Sequence, residues 1–129
     1  MSTPSDLPPA SRPAIDLPTL DAERMDMLRE LCTDAGPEML HEMIDSWETE
    51  AARHLADARK TLAAADAQAL KIVAHTLKGS CANMGIVRLA ELSRRLEGEA
   101  GAPAEAAARL DEMQAEYDQA RTLLSQISA

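Results

Sequence analysis

Aromatic side chains are almost missing from this chain: it has Trp47, Tyr117 and no phenylalanine, 2% of its residues. Valine occurs only as Val73 and Val87, while alanine and leucine abound. Strands favour β-branched and aromatic residues, so this scarcity excludes an extensive sheet and points to helices. It also argues against binding bases on aromatic platforms. Cysteine is equally sparse. Cys32 and Cys81 lie far apart with no CxxC spacing, which implies neither a disulfide scaffold nor a zinc site. Both read as free thiols, and a cytoplasmic location is expected. Positive charge is short as well, with 13 Lys and Arg against 22 Asp and Glu, a net charge of −9. Such a chain repels phosphate backbones, so no nucleic-acid partner is expected. No apolar run approaches the ~18 residues of a spanning helix, and the N-terminus lacks the basic-then-apolar pattern of a signal peptide. No membrane association is expected.

What is present describes one domain. The 129 residues are 46% hydrophobic and 27% charged, an ordinary globular balance. Five of the seven prolines fall in the first 18 residues, so 1–18 reads as an extended or disordered leader or linker. Residues 19–129 read as the domain. A first helix is predicted from about Leu20 to Thr33, ended by Asp34-Ala35-Gly36-Pro37. Pro37 suits the first position of a second helix running to about Ala65, whose Leu40, Ile44, Trp47, Ala51, Leu55, Ala58 and Leu62 step by four and three. Asp66 is a plausible N-cap for a third helix to about Met84. Gly85 interrupts the pattern, and a fourth helix runs from Ile86 to about Glu97. Gly98 and Gly101 read as the next loop, and Pro103 opens a fifth helix. Short loops between amphipathic helices imply antiparallel neighbours. The fold expected is all-α: an up-down four-helix bundle with a short extra N-terminal helix capping it.

Chemistry concentrates on the third helix, in Ala74-His75-Thr76-Leu77-Lys78-Gly79-Ser80-Cys81. At 100° per residue, Leu70, Val73, Ala74, Leu77, Cys81 and Met84 form the core stripe. His75 lies about 140° from its centre, with Lys71, Lys78 and Ala82 on the same side. Gly79 shares the His75 face one turn on. A mid-helix glycine costs about 1 kcal/mol relative to alanine, and an exposed one lets another body approach the imidazole closely. Geometry alone leaves open an ordinary surface histidine beside a tolerated glycine.

Residues 75–97 resemble the histidine-containing phosphotransfer family, the Hpt domains of bacterial multistep phosphorelays. That pattern is His-x-Leu-Lys-Gly-Ser, then a glycine and a Leu-rich helix closed by an acidic or amide residue. His75, Leu77, Lys78, Gly79, Ser80, Gly85, Leu89, Leu92, Leu96 and Glu97 fall on it. Cys81 departs, standing where the family often has serine or alanine.

The resemblance implies a bundle with one phosphorylatable histidine, His75, that accepts a phosphoryl group from a receiver-domain phospho-aspartate and passes it to another receiver. It implies no ATP-dependent activity, and the chain carries no glycine-rich nucleotide loop. No cofactor is expected, with Mg²⁺ belonging to the partner receiver. Response-regulator receivers and a hybrid sensor histidine kinase are the implied partners, and a monomer is expected. By the same resemblance Nε2 of His75 is the nucleophile, and Glu97 matches the position that accepts from Nδ1–H and fixes the tautomer. Lys78 can meet the phosphoryl oxygens, where a unit-charge contact is worth about 1–4 kcal/mol. Lys71, Ile72, Gly79 and Ala82 are the docking candidates beside His75, Ile72 as an exposed apolar residue. Met25, Leu28 and Met43 are weaker ones, Met43 reading better as core.

Two rival readings are weighed. Glu38-Met39-Leu40-His41 is one ExxH unit, but a di-iron bundle needs two, and neither His54 nor His75 supplies the second. His41 and His54 read as surface or bundle-edge residues. A helical adaptor that binds receivers without being phosphorylated would not need His75, Lys78 and Gly79 together.

Overall fold

The computed structural model describes residues 17–128; residues 1–16 of the leader expected over 1–18 lie outside them. Five helices follow one another: α1 Ala22–Ala35, α2 Pro37–Ala63, α3 Ala67–Asn83, α4 Val87–Glu99 and α5 Pro103–Ser128. No strand occurs among the described residues, as the shortage of β-branched and aromatic side chains implied.

Local chemistry sets the boundaries. Gly36 turns at φ 102° and Pro37 opens α2, where its missing N–H costs nothing. The Asp66 side chain accepts from the Ala69 N–H at 3.0 Å, a cap worth about 1 kcal/mol. Between α3 and α4, Gly85 adopts φ 75° while the Ile86 N–H bonds the Cys81 carbonyl at 2.8 Å, the six-to-one closure of a Schellman turn.

Several ends differ from the sequence reading. α1 is displaced to 22–35, and α2 stops at Ala63 because Ala65 takes the left-handed φ of 56°. Gly98, expected in a loop, lies inside α4, which continues to Glu99. Arg109 of α5 holds Glu99 through two hydrogen bonds of 2.8 and 3.0 Å, and that pair favours the extra turn.

α2 packs against α3 and α5, and α4 packs against the same two helices. The enclosed core holds Leu70, Leu77, Leu89, Leu92, Leu96 and Leu110, none more than 1% exposed. Truncating such a leucine to alanine costs about 2–5 kcal/mol. The two aromatic residues are used together: Trp47 and Tyr117 rings lie 5.6 Å apart, and the Tyr117 hydroxyl donates to the Glu48 carbonyl at 2.8 Å, tying α5 to α2.

α1 packs on α2 and is fastened to the α3–α4 turn. Arg24 donates from Nε and Nη2 to the Asn83 carbonyl at 3.1 and 2.9 Å, and the Asp21 N–H bonds the Gly85 carbonyl at 2.8 Å. Just before it, the Leu17 carbonyl accepts from Arg88 Nε at 2.7 Å.

Candidate functional site

The α3 pattern carries through. Leu70, Ala74, Leu77 and Cys81 are buried, Val73 and Met84 pack against the core at its edge, and the opposite side of the helix is open. His75, Lys71, Ile72, Gly79 and Ala82 are all exposed, and Lys78 is half-buried. A Cβ built at Gly79 would meet nothing within 4 Å, so the glycine leaves bare backbone one turn from the imidazole.

Glu97 reaches this face from α4. His75 Nδ1 lies 3.3 Å from Oε1 and 3.2 Å from Oε2 of Glu97. Lys78 Nζ stands 3.4 Å from Oε2. The imidazole side chain is 66% exposed while the carboxylate is 22% exposed, so the acid lies behind the ring it holds. Burial works to raise the Glu97 pKa. The hydrogen bonds from His75 and Lys78 and the attraction of both groups outweigh it, and the net shift is downward. An ionised carboxylate only accepts, so the proton of the neutral ring belongs on Nδ1, leaving the Nε2 lone pair unprotonated.

Charge around this face differs from the charge of the whole. Lys71 and Lys78 flank His75 on α3, and Arg94 lies one turn before Glu97 on α4, in a chain of net charge −9. Arg94 is held by Glu91 at 2.7–3.1 Å. Those hydrogen bonds are the largest influence lowering the Glu91 pKa.

Not every sequence-read candidate belongs here. Met25 and Leu28, expected as weak docking residues, are 5% and 4% exposed and belong to the core with Cys32. Burial beneath α1 removes them from any docking surface. Met43 is at the core's edge, its Sδ 3.9 Å from the Cys32 thiol. The apolar side chains that α1 and α2 expose are instead Met27, Leu31 and Met39. The sequence did hold a signal: Met27 and Leu31 are four apart, on a stripe separate from Met25, Leu28 and Cys32. Met39 and Met43 line a groove of about 480 Å³ between α2 and α3, with Ser80 and Asn83 on its far side.

His41 is exposed and His54 half-buried. No three His, Cys, Asp or Glu side chains group closely enough among the described residues to hold a metal ion. Cys81 is buried against α2. The indole N–H of Trp47 finds no well-placed acceptor, and the sulfur of Cys81 is a weak one. The indole's pull is smaller than the effect of burial, which pushes the Cys81 thiol up to about 12.

Comparison with known proteins identifies the family. The sequence profile of the Hpt domain matches residues 42–123. The chain belongs to the Hpt domain family. A solved Hpt structure, histidine-containing phosphotransfer protein B (HptB) from Pseudomonas aeruginosa PAO1, is similar with a TM-score of 0.75 and 32% sequence identity. The match covers 86% of this chain and 95% of that one. No curated protein sequence matches significantly. Membership of the Hpt family brings histidine phosphotransfer in phosphorelays as the general activity, and phosphorelay receivers and kinases as the general class of partner. No helix among the described residues is long and apolar enough to cross a membrane.

Proposed function

We propose that His75 is the phosphorylated residue of this Hpt domain, accepting a phosphoryl group from a receiver phospho-aspartate and passing it to a second receiver. The observation that carries this reading is the exposed imidazole whose Nδ1 is committed to Glu97, which leaves Nε2 as the nitrogen for the reaction. In the transfer, the Nε2 lone pair attacks phosphorus and the N–P bond forms. The P–O bond to the aspartyl carboxylate breaks, and its electron pair leaves with that carboxylate. Nδ1 keeps its proton, and the positive charge that spreads over the ring is met by the Glu97 carboxylate.

Lys78 is close enough in sequence and on the right side of α3 to turn to the phosphoryl oxygens. Lys71, Ile72, Gly79 and Ala82 form the surface against which the receiver sits, Gly79 by allowing close approach. The helical scaffold is an up-down antiparallel bundle of α2–α5 with α1 as the additional element, a reading supported by the packing of α2 and α4 against both α3 and α5. The protein works as a monomer in the cytoplasm, without a cofactor of its own. Mg²⁺ belongs to the receiver, and a hybrid sensor histidine kinase stands upstream.

The test is incubation with a phosphorylated receiver. The wild type acquires acid-labile phosphate, and His75→Gln does not while keeping its helical circular dichroism. Phosphate acceptance by His75→Gln removes the assignment. Binding without any transfer to the wild type makes the protein an adaptor.

A further inference from the structure

Arg24 divides its guanidinium between two partners. Nε and Nη2 donate to the Asn83 carbonyl at 3.1 and 2.9 Å, and Nη1 reaches Sδ of Met27 at 3.3 Å. A thioether sulfur is only a weak acceptor, so this last donor is held in place with little to hold. We propose that Met27 is an oxidative modification site: a peroxide converts it to the sulfoxide, and Arg24 takes the new oxygen, tightening α1 on the α3–α4 turn.

The oxidant is hydrogen peroxide. The sulfur lone pair attacks one peroxide oxygen, the S–O bond forms and the O–O bond breaks. The proton of the attacked oxygen passes through solvent to the departing hydroxide, which leaves as water. Sulfur loses two electrons and the peroxide gains them.

Access alone does not single out Met27. Met27 and Met39 are 48% and 46% exposed, while Met25 and Met113 are buried. The difference lies in what stands beside each sulfur. Residues three and four apart are neighbours on a helix surface. For Met27 these are Glu23, Arg24, Glu30 and Leu31, and the one cation among them is already on its sulfur. For Met39 the neighbours within α2 are Glu42 and Met43, neither a cationic donor. Oxidised Met39 is a polar group on a groove, whereas oxidised Met27 is an acceptor facing a charged donor.

Arg24 is well placed to transmit the change. Its side chain leaves the helix over Gly85, where an added Cβ would stand 2.6 Å from its Cγ. The Asp21 N–H meets the Gly85 carbonyl at 2.8 Å in the same place. A guanidinium has five donors, so the sulfoxide oxygen can take Nη1 while Nε and Nη2 stay on Asn83. A bond from a charged donor to that oxygen is stronger than one to sulfur. It braces the guanidinium from a second side, so α1 opens less often. Sulfoxides ordinarily disrupt apolar cores, but Met27 lies outside the core, and here the oxidation tightens. The turn that gains the brace joins α3, which carries His75, to α4, which carries Glu97.

The experiment treats full-length Met39→Leu protein with hydrogen peroxide, locates sulfoxides by peptide mass spectrometry and follows α1 amides by deuterium uptake. Met27→Leu in the same background, treated alike, accounts for oxidation elsewhere in the chain. Sulfoxide is expected at Met27, with α1 amides exchanging about three- to tenfold more slowly than before treatment. Methionine sulfoxide reductases should restore the original rates, and the control variant should show no slowing. Three results would each overturn the proposal: Met27 left unoxidised, α1 exchange unchanged or faster after its oxidation, or a slowing that persists without Met27.

Discussion

Nδ1 of His75 is shared almost equally between the two carboxylate oxygens of Glu97, at 3.3 and 3.2 Å. These distances are at the long end for N–H···O bonds, and the near-equality marks a three-centre bond that fixes ring orientation more than it clamps the ring. Removing it with Glu97→Ala is expected to slow phosphoryl acceptance about 10- to 100-fold, since a hydrogen bond to a charged group is worth ~1.5–3 kcal/mol. Receiver affinity should change by less than about threefold, because the 22%-exposed acid sits behind the ring. Rapid-quench transfer assays and equilibrium binding separate the two. An unchanged rate would remove Glu97 from the reaction.

Gly79 gives opposite outcomes with two substitutions. A Cβ there meets nothing within 4 Å and the backbone is helical, so Gly79→Ala should raise stability by about 1 kcal/mol. Gly79→Arg should keep the fold but place a long side chain over the approach to His75 and reduce receiver binding at least tenfold. Thermal melts and binding isotherms check both. Unimpaired docking of the arginine variant would refute the close-approach role.

Gly85 is constrained from two directions. Its φ of 75° disfavours any side chain, and an added Cβ would come within 2.6 Å of Arg24 Cγ and 2.7 Å of Arg24 Cβ. Those atoms are near the root of the side chain and cannot swing away. Gly85→Ala should therefore destabilise by about 2 kcal/mol and loosen α1 before the rest of the bundle. Hydrogen exchange would show α1 amides losing protection first. Uniform loss across all helices would place the strain elsewhere.

Cys81 makes a prediction at alkaline pH. Burial pushes its thiol up to about 12, against an ordinary value of 9.0. The folded state therefore holds a proton that the unfolded chain releases. Its contribution to stability is complete below pH 9.0 and erodes as the pH rises toward 12, by up to ~1.4 kcal/mol per pH unit. Other groups titrate in that range, so the measurement is the difference between wild type and Cys81→Ala in urea unfolding at pH 7.5, 9 and 10.5. Parallel pH dependence in the two proteins would contradict the shift.

Much of the fold was legible because it depends on short-range chemistry. Pro37, Asp66, Gly85 and Pro103 mark helix ends through their own backbone limits or side-chain bonds, and the α3 stripe places His75 outside the core with no knowledge of neighbours. Glu97 could be named only by resemblance, since its contact with His75 depends on how α4 lies against α3. What was misread depends on tertiary context. Gly98 looks like a helix stop, yet the Arg109–Glu99 pair supports another turn through it. Met25 and Leu28 look available on a short helix, but α1 is pinned by Arg24 to the Asn83 carbonyl with those side chains inward. The sharing of Glu97 between Lys78 and His75 required interhelical distances that no periodicity encodes.

With one indole and one phenol in the whole chain, the protein carries its own optical probe. Trp47 is 2% exposed and its ring lies 5.6 Å from that of Tyr117, on the inner side of α2. Its emission therefore comes from a single buried location that α2, α3 and α5 create together. A change in that emission on adding a receiver would mean that docking on the surface of α3 is felt in the interior, and a silent signal would mean a rigid-body encounter.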